Sequence, residues 1–256
     1  MESLSALLFE LANIDRLNIL IELNTKEMKL TNISKKLELT VQETSRHLQR
    51  LCDIHLLKKH ADGAYYITDF GEDVLLLLPG FEFLTKHREY FLDHRLGHLP
   101  TEFLSRIGAL KGSKLLDSPV LAFQWVNSII EGAKDHLYFI ADQVPSGSIP
   151  LIEDAVKREV LTHFLMPDDM ARPSLPESYL PHYDSDDRTR MNIGRIKSVQ
   201  FVGVISESAA IVGFPTTDGK MDYLAFYTEN ELALRWCEDL FMYFWNQVES
   251  VHPTEE

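Results

Sequence analysis

The chain has only two cysteines, Cys52 and Cys237, which form neither a CxxC pair nor a disulfide framework and so point to an intracellular protein. The longest aliphatic run, Val74 to Leu78, falls far short of the ~20 apolar residues a membrane-spanning helix needs. Met1-Glu2-Ser3 has no basic stretch ahead of the first leucines, which argues against a secretory leader and for a cytoplasmic protein. Positive charge is also scarce. The 25 lysines and arginines face 39 acids, and the net charge of −14 opposes nucleic-acid binding through a generally basic surface. No HExxH, Gly-x-Ser-x-Gly, Gly-x-Gly-x-x-Gly or P-loop pattern occurs, so the common metalloprotease, acyl-transfer, dinucleotide and nucleotide signatures are missing. What is present is ordinary: 45% hydrophobic and 25% charged residues over 256 positions, enough for one or two domains with proper cores.

Apolar residues at Leu4, Leu7, Leu8, Leu11, Ile14, Leu17, Leu20, Ile21 and Leu23 recur at helical spacing and predict an amphipathic helix over residues 2–23. Thr31-Asn32 offers a cap for a short helix to about Leu37, and Thr40 caps another from Val41 to about Cys52. Asp62-Gly63 sits between two β-prone runs, a hairpin signal. A long helical stretch follows Thr68-Asp69, with an interruption expected at Pro79-Gly80 and resumption through His94. Three short helices and an Asp-Gly hairpin in this order make the winged helix-turn-helix pattern, in which one helix can enter the major groove while the hairpin reaches a flanking backbone.

The distribution of charge bears on this reading more than its sum. Residues 29–60 carry seven lysines and arginines (Lys29, Lys35, Lys36, Arg46, Arg50, Lys58, Lys59) against Glu38, Glu43 and Asp53, a local charge of +4. Residues 86–256 carry 16 basic and 26 acidic residues, or −10. The acid therefore lies mostly away from the presumed DNA face, which favours specific over sequence-blind binding. On a helix starting near Val41, Leu48, Leu51 and Cys52 face inward, leaving Gln42, Glu43, Ser45, Arg46 and Gln49 outward. Arg46 suits guanine O6 and N7, Gln42 or Gln49 adenine, and Glu43 cytosine N4. Thr40, Lys35 and Lys36 suit phosphate, and Lys58, Lys59 and His60 the backbone beside the wing. The plain alternative for Arg46, Arg50 and Lys58-Lys59 is a solvated charged face.

Four runs in this half carry a family likeness: Arg16-Leu17-Asn18-Ile19-Leu20, Ile33 to Thr40, Thr44-Ser45-Arg46-His47-Leu48-Gln49-Arg50-Leu51, and Tyr66-Ile67-Thr68-Asp69-Phe70-Gly71-Glu72. Together they resemble the ArsR-like winged helix of prokaryotic transcription regulators over about residues 5–78. The run Trp236 to Trp245 looks like the archaeal regulators typified by the methanogenesis and filament regulator of methanogens. The resemblance implies a sequence-specific transcription regulator with a C-terminal domain of uncertain ligand. Metal-sensing relatives pair cysteines on the recognition helix, whereas Cys52 stands alone and reads as a structural thiol.

The second half reads as a separate domain of mixed α/β type. The boundaries expected are 1–80 for the winged helix, 81–118 for a helical linker and 119–256 for the α/β domain. A helix over Pro119 to Lys134, a strand at Leu137–Ile140, a helix near Pro150 to Glu159 and a strand at Val160–Leu165 suggest parallel strands. Residues 167–187, with four prolines and six acids, read as a long surface loop. Strands at 198–205, 209–214 and 223–227 and a helix from about Asn230 to Val248 follow. This order is similar to one half of the phospholipase D-like fold, but none of the ten histidines begins that family's His-x-Lys. Such a domain would serve as sensor or scaffold rather than enzyme, and no cofactor is expected.

His94 and His98 have helical metal spacing, though Gly97 and Pro100 end the helix. His182, Asp184, Asp186 and Asp187 have the spacing of no standard site, and read as a solvated segment. An effector site is expected near Tyr138 and Phe201 and the 167–190 loop, with Arg195 as anchor for an anionic group and Arg188 and Arg190 nearby. The plain reading of the aromatics is core. A homodimer through helices 2–23 and 68–94, on a two-fold operator, completes the expectation. The rivals are an enzyme of phosphodiesterase-like fold and a scaffold using its winged helix for protein contacts.

Overall fold

The computed structural model describes residues 2–168 and 191–248. Two units divide at the end of the winged-helix pattern, Met1–Pro79 and Gly80–Glu256.

In the first unit the expected N-terminal helix is two, α1 (Glu2–Leu11) and α2 (Ile14–Thr25). Asn13 makes the break: its side chain accepts the Arg16 N–H at 3.0 Å, the local bond that makes asparagine a better cap than helix interior. A two-residue strand, β1 (Met28–Lys29), runs straight into α3 (Leu30–Lys36), so Thr31-Asn32 lie inside the first turn rather than capping it. Helix α4 (Val41–Asp53) starts as expected. Thr40 Oγ1 accepts the Glu43 N–H at 3.2 Å, and the Glu43 carboxylate accepts the Thr40 N–H at 3.1 Å, a reciprocal capping box. Thr44, Leu48 and Leu51 face the core with Ile19, Leu20, Ile33 and Leu56.

Strands β2 (Leu57–Lys59) and β3 (Ala64–Ile67) form the wing, turning through Gly63 at φ +90°, and β1 adds antiparallel to β3. The Tyr-x-Thr-x-x-Gly run then acts as a clip. Thr68 Oγ1 donates to His55 O at 2.7 Å and accepts the Gly71 N–H at 3.0 Å. A Cβ on Gly71 would stand 2.5 Å from Leu56 O, so only glycine fits. Helix α5 (Asp69–Lys86) does not break at Pro79-Gly80 as expected; it runs on to Lys86 and stops at His87, before α6 (Arg88–Asp93). Burial of Phe83 on its last turns outweighs the single N–H that proline lacks.

In the second unit, helix α7 (Thr101–Ser105) and a 3-10 turn (Ile107–Gly112) lead to β4 (Lys114–Leu116). Then follow α8 (Pro119–Gly132), β5 (His136–Ile140), α9 (Ile149–Lys157) and β6 (Leu161–Pro167). The chain continues with β7 (Met191–Ile196), β8 (Val202–Ser206), β9 (Ala210–Gly213), β10 (Ala225–Thr228) and α10 (Glu231–Trp245). One seven-stranded sheet has the order β4-β10-β9-β8-β5-β6-β7. The expected parallel pairing of β5 with β6 is present, β7 extends it, and the other pairs are antiparallel.

Both sheet faces are covered. Leu137, Phe139, Phe164, Val204 and Ile211 pack with α8 and α9, and Ile140, Leu165, Ile205 and Phe226 with α10 and residues 83–110. Residues 81–118, expected as a linker, thus supply Phe83, Tyr90, Phe103 and Leu116 to the unit's two cores. The 169–187 part of the expected loop, with Arg188, Arg190 and the His182 cluster, lies outside the described residues.

Candidate nucleic-acid interface

The outer face of α4 is an open, shallow surface bounded by Leu30, Val41, Gln42, Ser45, Arg46, Gln49 and Arg50. It exists because the capping box fixes where the helix begins, and burial of Thr44, Leu48 and Leu51 fixes which side turns outward. Gln42, Ser45 and Arg46 are exposed and enter no hydrogen bond or ion pair among the described residues. Lys35, on the last turn of α3, and Lys58, on β2, are likewise exposed and unengaged. A helix face with one arginine and two neutral hydrogen-bonding side chains, flanked by lysines, offers bidentate donors for base edges and point charges for phosphate.

The other residues expected at this face are held by the protein itself. Thr40 Oγ1 also donates to Glu43 Oε2 at 2.6 Å, and these bonds hold the Glu43 carboxyl below its ordinary range. Thr40 and Glu43 are therefore better explained as the cap that starts the helix than as readers of phosphate or cytosine. Gln49 Nε2 donates to Asp53 Oδ1 at 2.7 Å, and Lys36 pairs with Glu22. On the wing, Lys59 Nζ lies 5.2 Å from the Tyr65 ring centroid. His60 stacks on Tyr66 at 4.1 Å and meets Glu27 at 3.1 Å. Of the eleven residues expected to touch DNA, the geometry leaves Lys35, Gln42, Ser45, Arg46 and Lys58 uncommitted.

Arg50 belongs to a clamp that the sequence reading missed. Its Nε and Nη2 donate to the two oxygens of Glu10 at 2.9 and 2.6 Å, and its guanidinium lies 5.3 Å from the Phe9 ring. Arg16, itself buried, donates from Nε to Glu10 O at 2.7 Å and lies 3.0 Å from the same carboxylate. The Arg50 hydrogen bond, then the charges of Arg16 and Arg50, hold the Glu10 carboxyl below its usual range despite burial. The clamp ties α1 to α4. Its signal was Glu10, an acid set between Phe9 and Leu11 in an apolar run, with an arginine in the Arg-Leu-Asn run six residues on.

Among the described residues of the second unit, Tyr138, Phe201 and Arg195 do not line a common cavity. Tyr138 turns toward α10, stacked on Phe241 at 4.8 Å and His163 at 5.3 Å. Phe201 is fully buried in the same core, 5.9 Å from Phe244. Arg195, on β7, donates to Pro167 O at 3.1 Å. The cavity that does exist lies against the opposite face of the sheet, lined by Phe139, Phe164, Val204 and Ile211 with α8 and α9. His94 is buried between the Tyr90 carbonyl at 2.8 Å and Asp222 at 3.0 Å, a structural histidine rather than half of a metal pair with the exposed His98. No cluster of metal-ligating side chains occurs among the described residues. Nor, among them, is any helix long and apolar enough to cross a membrane.

Residues 16–86 match the winged helix-turn-helix family model. No curated protein sequence matches the chain significantly. Among solved structures it is similar to TrmBL2, an archaeal chromatin protein whose structure shows a novel mode of DNA binding, at 12% identity and TM-score 0.46, covering 93% of this chain and 94% of that one. It is also similar to NucT from Helicobacter pylori, at 10% identity and TM-score 0.41, over 54% of this chain and 97% of that one. A third likeness is to Nuc of Salmonella typhimurium, a phospholipase D family member, at 15% identity and TM-score 0.36, over 50% of this chain and 88% of that one. Family match and geometry agree on the first unit: it is a winged helix-turn-helix, joined in one chain to an α/β domain.

Proposed function

We propose that the chain is a cytoplasmic, non-enzymatic, sequence-specific DNA-binding transcription regulator of the archaeal ArsR-like and methanogenesis-regulator kind. In this reading the first unit reads an operator and the second responds to a small molecule or partner. The observation that carries it is the exposed face of α4. Among the described residues, Arg46, Gln42 and Ser45 stand there without hydrogen bond or ion pair, on a helix whose start is fixed by a capping box and which the Glu10 clamp ties to α1, with Lys35 and Lys58 on neighbouring elements. Side chains free of internal bonds, on a backbone that is not, are the condition for reading base edges without reorganisation.

A homodimer on a two-fold operator is part of the same proposal. Leu4, Leu8 and Phe9 of α1, Ile21 of α2, and Phe70, Leu76 and Leu77 of α5 are each about half exposed or more, an apolar load that a second copy would cover. Sedimentation tests it: a monomer at micromolar concentration, with and without operator, refutes the dimer. A salt titration tests the DNA reading against a scaffold that uses its winged helix for protein contacts. Operator affinity should fall with a log–log slope of roughly −5 or steeper for a dimer meeting about six or more phosphates, and a flat response refutes it.

A further inference from the structure

The second unit holds space that neither its cores nor the DNA-binding face uses. Between α8, α9 and the sheet lies a cavity of about 60 Å³ that opens to solvent. Val126 and Ile130 of α8, Ile152 of α9, and Phe139, Phe164 and Val204 of the sheet form its walls. No charged side chain lines it, and the polar side chains at it are those of Gln143, Ser148 and Tyr223. All three are engaged: Ser148 Oγ donates to Asn127 Oδ1 at 2.7 Å, Tyr223 Oη donates to Asp142 Oδ1 at 2.8 Å, and the Gln143 side chain hydrogen-bonds Tyr223. A water inside would lack the two to four partners it needs, so the space favours an apolar occupant. An unfilled apolar cavity forfeits the dispersion contacts of its whole lining, yet alanine stands at three wall positions, 122, 141 and 225, where a larger residue would close it.

The place is one where sheets open. The cavity borders Ile140 and Ala141, at the carboxyl end of β5, which pairs parallel with β6 on one side and antiparallel with β8 on the other. Its mouth is bridged by Tyr223, a non-glycine residue at φ +63° whose ring packs on Phe123 at 5.5 Å. Through its bond to Asp142, Tyr223 ties the segment before β10 to the segment after β5. A residue in the left-handed region, held near the surface by hydrogen bonds to Asp142 and Gln143, is a strained tie that a ligand can displace.

We propose that this cavity binds an uncharged small molecule through an apolar body, an aromatic ring or short alkyl chain, whose polar end stays at the Gln143 mouth. A carboxylate or phosphate at that end would face the Asp142 carboxylate with no cation among the lining residues to pair it, and deeper entry would bury a lone charge, so an uncharged ligand is preferred. Calling the molecule an effector rests on the regulator reading above; its binding does not.

The test uses the full chain, titrated calorimetrically with indole and 1-octanol, and with octanoate and glucose 6-phosphate as charged controls. Operator binding is measured on the same preparation. Saturable binding of indole or 1-octanol, at least about tenfold weaker for the charged controls, is expected. Ala141→Phe fills the mouth and should weaken the neutral probe about tenfold or more while the melting curve stays cooperative. Val126→Trp fills the cavity from α8 and carries the test if the first variant fails to fold. Absence of binding by both neutral probes up to their solubility limits, or undiminished binding in the filled variants, overturns the proposal. Probe binding without operator binding would refute the regulator reading and leave the cavity's assignment standing; operator binding without probe binding would do the reverse.

Discussion

Replacing Arg46 by alanine separates base reading from folding more cleanly than any other single change on α4. In the free protein Arg46 is exposed and makes no hydrogen bond or ion pair among the described residues, attracting the exposed Glu43 carboxylate through solvent, so thermal unfolding of Arg46→Ala should be nearly unchanged. On DNA, loss of one bidentate contact to a guanine edge costs about 1–3 kcal/mol, or roughly 5- to 150-fold in affinity. That loss should be confined to the selected operator and nearly absent on random duplex. Arg50→Ala, one turn further along the same helix, supplies the contrast. It removes both hydrogen bonds from the Glu10 carboxylate, whose side chain is 10% exposed, and leaves Arg16 as its only charged partner. Arg50→Ala should therefore lower the melting temperature and weaken all DNA through a loosened α1–α4 clamp. Fluorescence anisotropy on operator and random duplexes, with melting curves for both variants, checks the pair. Equal loss on both duplexes for Arg46→Ala would make it a phosphate contact and refute the assigned register; no loss on either would remove α4 from the interface.

The remaining predictions are simpler. Lys58→Ala should weaken specific and random DNA alike and make the salt slope shallower by about one per protomer, about two for the dimer, as expected of a phosphate contact; an unchanged slope refutes that role. The Glu10 carboxyl is held below its unfolded value, so its stabilisation is present above about pH 4.5 and is lost as acid carries the pH down through the lower folded value. Glu10→Gln should thus be less stable than wild type at neutral pH and converge with it in acid, read from urea midpoints across pH; a constant gap would contradict this. Gly71→Ala should destabilise the first unit by about 1–3 kcal/mol, because the new methyl meets the Leu56 carbonyl; an unchanged urea midpoint would show that the turn can give.

The parts of the fold legible in the sequence were those set by local chemistry. Thr40 announces a helix N-cap, Asp62-Gly63 a tight turn, and the 119–165 region a strand–helix–strand unit, and each forms. What was not legible depends on distant partners. Asn13 reads as one more polar residue until its side chain closes on the Arg16 N–H. Pro79 looks like a break until the burial of Phe83 is known. In His136–Ile140 both sheet faces are buried, so alternation cannot say which way each side chain turns; Tyr138 faces α10 and Phe139 the cavity. The recognition face was half readable. Periodicity separated outward from inward residues on α4, but only the three-dimensional pairs showed that Thr40, Glu43, Gln49 and Arg50 are engaged and Arg46 is not.

The central claim, that the α4 face reads sequence, is tested most directly by selecting duplexes from a random library with the full chain and repeating the selection with Arg46→Ala. The account predicts an enriched inverted repeat whose half-sites lie about one helical turn apart, with at least one position per half-site relaxed in the variant. Failure of the wild-type chain to enrich any sequence, or an identical motif from both proteins, would contradict it.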